Sequence, residues 1–197
     1  MSRHAVSFSA LAIALMLLAP ASAENGSAPA LKAKAAELIQ DYAGKLKAAL
    51  GAAMQARGPE GALEVCNKQA PAIAAEVSQG SGWSIARTSL KPRNAASAPD
   101  AYERKIMEAF NARIAKGEKA DGLVSAEVVE GNGAKTFRFI KAIPTGEVCM
   151  TCHGDTVDPG LKQKILALYP DDQATGFKQG DMRGVFTLKK TLEAGAR

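Results

Sequence analysis

Cys149-Met150-Thr151-Cys152-His153 constrains this chain more than any other stretch, by its pattern and by where it falls. Two cysteines three apart admit several chemistries. A thioredoxin-like redox pair sits early in its domain, where a strand hands over to a helix. Here only Gly154 to Arg197 follow the motif, too little chain for the rest of that fold. A zinc site would have to draw on Cys66, Cys149, Cys152 and His153, and a Cys–His neighbour pair on one ion is awkward. The plain alternative is a structural disulfide or two packed thiols. The remaining chemistry uses the histidine as well. In C-x-x-C-H each sulfur adds across one vinyl group of a haem, and the adjacent histidine reaches the iron from one face.

The start of the chain favours that last chemistry. Met1 to Ala23 reads as a secretory signal peptide: Arg3 gives the positive start, Ala5 to Ala19 is apolar or small, and Ala21-Ser22-Ala23 is a small-x-small cleavage pattern. An uncleaved anchor is the alternative reading, but the apolar run is short for a membrane span, and no later stretch is long enough for one. The expected location is the periplasm, where c-type haem is attached, with no membrane span after cleavage. One covalently bound haem c per chain is the cofactor expectation, through Cys149 and Cys152, with His153 as proximal iron ligand. Gly154 follows where a side chain would crowd the porphyrin edge.

The histidine count narrows the iron site further. The chain has two histidines. His4 leaves with the signal peptide, so a bis-histidine haem is excluded within one chain. The other axial position falls to Met, Cys, Lys, water or nothing. Met54, Met107 and Met182 are the methionine candidates, since Met150 lies inside the attachment loop. Cys66 is the third cysteine and needs an explanation of its own, either as an iron ligand or as a buried thiol packing like a small hydrophobe.

After a linker at 24–30, one domain is expected over 31–192. Leu31, Ala35, Leu38, Ile39, Tyr42, Leu46 and Leu50 recur at helical spacing up to Gly58-Pro59. Lys32, Lys34, Lys45 and Lys47 then form a solvated face, or a dimer- or membrane-facing one. A second helix runs over 59–78, bent near Pro71. Leu63, Cys66 and Ala70 share one face of it by spacing, pointing inward. Residues 83–88 alternate and read as a strand, with Trp83 expected in the core. Arg87, Lys91 and Arg93 stand close together at the start of a turn-rich loop, as haem-propionate contacts or as solvated charges. Asp100 caps a helix to about Lys116. Strands at 123–129 and 135–143 flank the hairpin signal Glu130-Gly131-Asn132-Gly133. Phe137 and Phe139 make one face of that hairpin aromatic, either beneath the haem or simply in the core. A helix from Pro159 to about Tyr169 and a strand from Met182 to Lys190 complete the order, which reads as α+β with a mostly antiparallel sheet. Small soluble c cytochromes are all-helical, so the motif is familiar and the scaffold is not.

Several pieces, in linear order, resemble a family of exported single-haem proteins with a PAS-like fold and no settled role. They are Cys66 with Ala70 and Ile73-Ala74, Gly82-Trp83-Ser84-Ile85-Ala86-Arg87-Thr88-Ser89-Leu90-Lys91, Arg93-Asn94, Pro99-Asp100, Cys149 to Gly154, Tyr169 to Gly176 and Gly180 to Phe186. The resemblance spans about residues 35–192. It departs at Ala95, where the family often carries proline. It implies a PAS-like antiparallel sheet with N-terminal helices, covalent haem, His153 as proximal ligand, Cys66 as distal ligand and a six-coordinate, low-potential iron. Thiolate donation to iron stabilises Fe(III) and lowers the potential, in line with that implication.

The function expected on this reading is low-potential one-electron transfer. A haem-based redox or gas sensor acting through a separate partner is the alternative. An enzyme of peroxidase type wants an acid–base residue at an open distal site, usually histidine, and none remains. The partner expected is a redox protein, an acidic one suiting the formal net charge of +5. Without a basic-aromatic cluster, nucleic acid is not expected.

Overall fold

Ser27 opens the first helix as its N-cap, accepting from the Ala30 N–H, with Pro29 in the first turn where no amide donor is needed. The computed structural model describes residues 26–131 and 133–192. The signal-peptide reading therefore lies outside the described residues, and the expected linker is shorter than 24–30, because α1 (Ala28–Glu64) starts at the cap. The helix kinks at Gly58, which takes φ 63° ahead of Pro59. A π turn (Val65–Gln69) carries it into α2 (Ala70–Ser81), which ends on left-handed Gly82. The cause of the π turn is Pro71. It cannot donate to the Asn67 carbonyl and its ring crowds that position, so the ladder widens and the Ala70 N–H reaches Val65 instead.

The sheet follows from the alternating segments. β1 (Ser84–Thr88), β2 (Val124–Gly131), β3 (Ala134–Pro144) and β4 (Met182–Leu192) form one antiparallel sheet in the order β1-β4-β3-β2. The β2–β3 hairpin turns at the expected place, with Gly131 opposite Ala134 and Gly133 at φ 75°. Phe137, Phe139, Trp83, Ile85 and Leu188 face α1 and α2 and pack with Leu38, Tyr42, Leu46 and Val77. Trp83 meets Phe137 edge-on at 5.9 Å. These aromatics are core. The other face carries Ile140, Ala142 and Val185 against Met107 and Phe110 of α3 (Ala101–Ile114). Asp100 and Glu103 form a complete capping box at the start of α3. A third cluster joins Leu63 to Leu161, Ile165 and Tyr169 at α5 (Pro159–Leu168), with Cys152 and Val157 against it. The α+β fold with N-terminal helices and an antiparallel sheet stands as expected. Among the described residues no helix is long and apolar enough to cross a membrane.

The shared face expected of Leu63, Cys66 and Ala70 does not exist. Leu63 packs toward α5 and Ala70 toward the sheet-side core. The π turn inserts between them and rotates the faces apart. Lys32, Lys34, Lys45 and Lys47 are all exposed, forming the solvated side of α1.

Candidate haem site

Five segments converge at the edge of the sheet-side core. They are the π turn with Cys66, the end of β1 with Arg87, the following loop with Arg93, the segment Cys149–His153, and the strap from Asp172 to Phe177. Cys149 ends a 3₁₀ turn (Glu147–Cys149), and Met150–His153 forms the short helix α4. The two motif thiols thus sit one turn apart on one helical face. Cys66, Cys149 and Cys152 are free and half-buried. Burial pushes the Cys66 thiol up, while Arg87, Arg93 and Arg183 pull it down; Cys149 lies close enough to add to the rise. Cys152 is raised by burial too, and it feels both other cysteines. A thiol distant in sequence is therefore near enough to the motif thiols to act on them electrostatically.

His153 is held in one tautomer. Its Nδ1 lies 2.8 Å from the Ala174 carbonyl, which can only accept, so Nδ1 carries the proton and Nε2 presents its lone pair. Burial, followed by Arg183 and Arg93, pushes its pKa down to about 3, leaving the ring neutral and able to bind a metal. Phe177 meets the ring edge-on at 6.4 Å. Main-chain bonds from Gly176 N–H to Gly154 O and from Phe177 N–H to His153 O tie the strap to α4. Thr145 N–H to Asp181 O and Gly180 N–H to Thr145 O do the same where the chain enters the motif. A Cβ on Gly154 would meet Met150 O at 2.7 Å, a clash inside the motif's own turn.

The arginine and lysine candidates separate. Arg93 is buried and paired with Asp172 at 3.1 Å. Its Nη2 also donates to Cys152 O at 2.6 Å and to Ala174 O at 3.2 Å, so it binds the motif to the strap. Lys91 donates to Thr175 O and lies over the Phe177 ring. Both are thus engaged by the strap. Arg87 instead lies over the Tyr42 ring, 5.7 Å from its centroid. Sequence reasoning missed Arg183. It sits 5.1 Å over Phe177, and its Nη1 donates to Ser89 Oγ. Its Nε is buried with no hydrogen-bond partner. Of the methionine candidates, Met107 and Met182 are buried in the cluster on the α3 face, while Met54 lies half-buried in α1.

This donor set fits a haem better than a bare ion. Two thiols lie one turn apart, an imidazole nitrogen is left for a metal, a third thiol lies near them, and Arg87, Arg93 and Arg183 act on the site. Among the described residues no three His, Cys, Asp or Glu side chains converge closely enough to hold a metal ion by themselves.

The profile of the Tll0287-like family matches residues 19–190. The crystal structure of the cyanobacterial heme-protein Tll0287 superposes with a TM-score of 0.55 at 22% identity, covering 81% of this chain and 94% of that one. At that identity the likeness bears on the fold. No curated protein sequence matches the chain.

Proposed function

The chain belongs to the Tll0287-like family, and on that premise we propose that it is a periplasmic haem c protein, one covalent haem per chain, that carries single electrons at low potential. The observation that supports this most is His153, whose Nδ1–H is fixed on Ala174 O so that Nε2 is free for iron. When bound, the haem supplies an iron that cycles between Fe(III) and Fe(II). Cys149 and Cys152 would hold it by thioether bonds, and His153 would be the proximal iron ligand. Cys66 would be the distal ligand: burial raises its thiol, and Arg87, Arg93 and Arg183 offset part of that rise, as a ferric iron would do further. Thiolate ligation favours Fe(III), hence the low potential. Burial of the imidazole behind Phe177 and the strap keeps water from that side. With Arg3 removed in the signal peptide the net charge of +5 falls to +4, which still favours an acidic redox partner.

The test is expression with an export and haem-attachment system, followed by absorption and EPR spectra. A low-spin ferric signal with thiolate character, lost in Cys66→Ala, is expected. Cys149→Ala combined with Cys152→Ala abolishes haem that survives denaturing gels; red protein persisting there sinks the proposal.

A second reading, a redox or gas sensor acting through a separate partner, draws on the π turn. Cys66 hangs on the widened turn of its helix, and turns of this kind recur where function needs an adjustable side chain. CO added to the reduced protein separates the two. Slow or partial binding fits a carrier with Cys66 on the iron; fast and full binding fits the sensor.

A further inference from the structure

Three guanidinium groups, from Arg87, Arg93 and Arg183, act on both Cys66 and His153. Only Arg93 has a carboxylate, Asp172. Arg87 and Arg183 rest on aromatic faces, Tyr42 and Phe177, and neither forms an ion pair among the described residues. Cation–π contact offsets part of the cost of drawing a guanidinium from water, and Asp172 also attracts Arg183 without bonding to it, so neither arginine has a carboxylate of its own.

The backbone gives Arg183 its place. Along β3 and β4, Ile143 pairs with Gly184 and Pro144 with Met182, so Arg183 is the extra residue of a β-bulge. Met182 and Val185 both pack on the α3 side, which a regular strand forbids for residues three apart. The bulge absorbs the mismatch and turns Arg183 away from that core, toward the thiols and His153. Gly184 next to it lets β4 close on β1, since a Cβ there would lie 2.5 Å from Thr88 O.

Resting on the haem reading above, we propose that Arg87 and Arg183 form a carboxylate clamp that receives the haem propionates, in place of Lys91 and Arg93. Planar guanidinium forks match carboxylates in bidentate geometry. The two rings beneath them hold the forks in place before the ligand arrives. Lys91 is spent on Thr175 O, and Arg93 on Asp172, Cys152 O and Ala174 O. The competing destination for the charge is the Cys66 thiolate. However, the buried Arg183 Nε makes no hydrogen bond to any protein atom, sulfur included.

The test uses the holoprotein: wild type, Arg183→Met, Arg183→Lys and Arg87→Met, each exported with its haem. A pyridine haemochrome spectrum of wild type comes first; without covalent haem there, the haem reading fails and the clamp with it. With haem present, resonance Raman reports the propionate bending bands, and potentiometry follows the potential against pH. In Arg183→Met the bands shift, and the potential climbs as pH falls through the carboxylate range, because a released propionate gains a proton and takes negative charge from beside the iron. Wild type stays flat over that range, and Arg183→Lys recovers part of the flatness. Two results overturn the clamp while leaving the haem reading intact. One is propionate bands unmoved in both Met variants. The other is a change confined to the thiolate-sensitive EPR signal with no new pH dependence, which assigns the arginines to Cys66. Should Arg183→Met not accumulate, Arg87→Met gives the same readouts, with the same outcomes deciding.

Discussion

At the scale of single residues, the site is set by groups that cannot be moved by a small amount. Asp172 is a case: it pairs with buried Arg93 and accepts from the Ala174 N–H, fixing the carbonyl that holds His153. Removing it in Asp172→Ala strands a buried guanidinium, at a cost of about 3–5 kcal/mol. Chemical denaturation reads that loss, and the EPR signal of the loaded protein broadens as the imidazole loses its fixed orientation. Gly154→Ala forces a Cβ against Met150 O, an overpacking of about 1–3 kcal/mol. Its melting temperature falls even without haem, because the clash is within the motif's turn.

At the scale of elements, Pro71 decides where Cys66 points. Pro71→Ala restores an amide donor at the π turn and lets the helix return to regular pitch. One residue's change of phase swings a side chain by about 100°. The expected outcome is an unchanged or higher melting temperature together with loss of the thiolate spectrum; a retained spectrum would mean that something other than Pro71 holds the turn. Most elements were legible in the sequence, because periodicity and punctuation carry them. Leu31 to Leu46 marked α1, Asp100 marked the cap, and the Asn-Gly signal marked the hairpin. The π turn was not legible: Leu63, Cys66 and Ala70 also fit regular helical spacing, and a wider turn leaves no separate imprint on composition. Cys149, Cys152 and His153 were legible because the motif is contiguous. The ligand role proposed for Cys66 rests on resemblance rather than spacing. Arg183 was hidden because its direction depends on a bulge between β3 and β4, which is a relation between two strands. Lys91 and Arg93 were near the right place, yet proximity in sequence says nothing about which acceptors a folded strap presents.

At the scale of the whole molecule, acid is the condition to which this fold is most exposed. For Asp100, burial opposes ionisation, but the Glu103 N–H, Lys189 and Arg138 outweigh it and hold the carboxyl at about 2. His153 is held at about 3 against an ordinary 6.5. Both values are depressed on folding, so in each case the unfolded chain takes up the proton first as pH falls. The haem-free protein accordingly loses stability from about pH 6.5 downward through His153, and again below about pH 4 through Asp100, whose half-exposed position makes its share the smaller. A denaturation series against pH checks this. His153→Gln removes the upper phase and leaves the lower one.

The sheet order has a consequence for how the chain reaches its final form. β4 follows every other element in sequence, yet it lies inside the sheet, paired with both β1 and β3. The strap that closes over Cys149 to His153 leads directly into it. Until Met182–Leu192 docks, β1 has no partner and nothing covers the motif. Contacts of such long sequence separation form late and slowly. On the covalent-haem proposal this order matters: the two motif thiols stay accessible for attachment until the middle strand inserts.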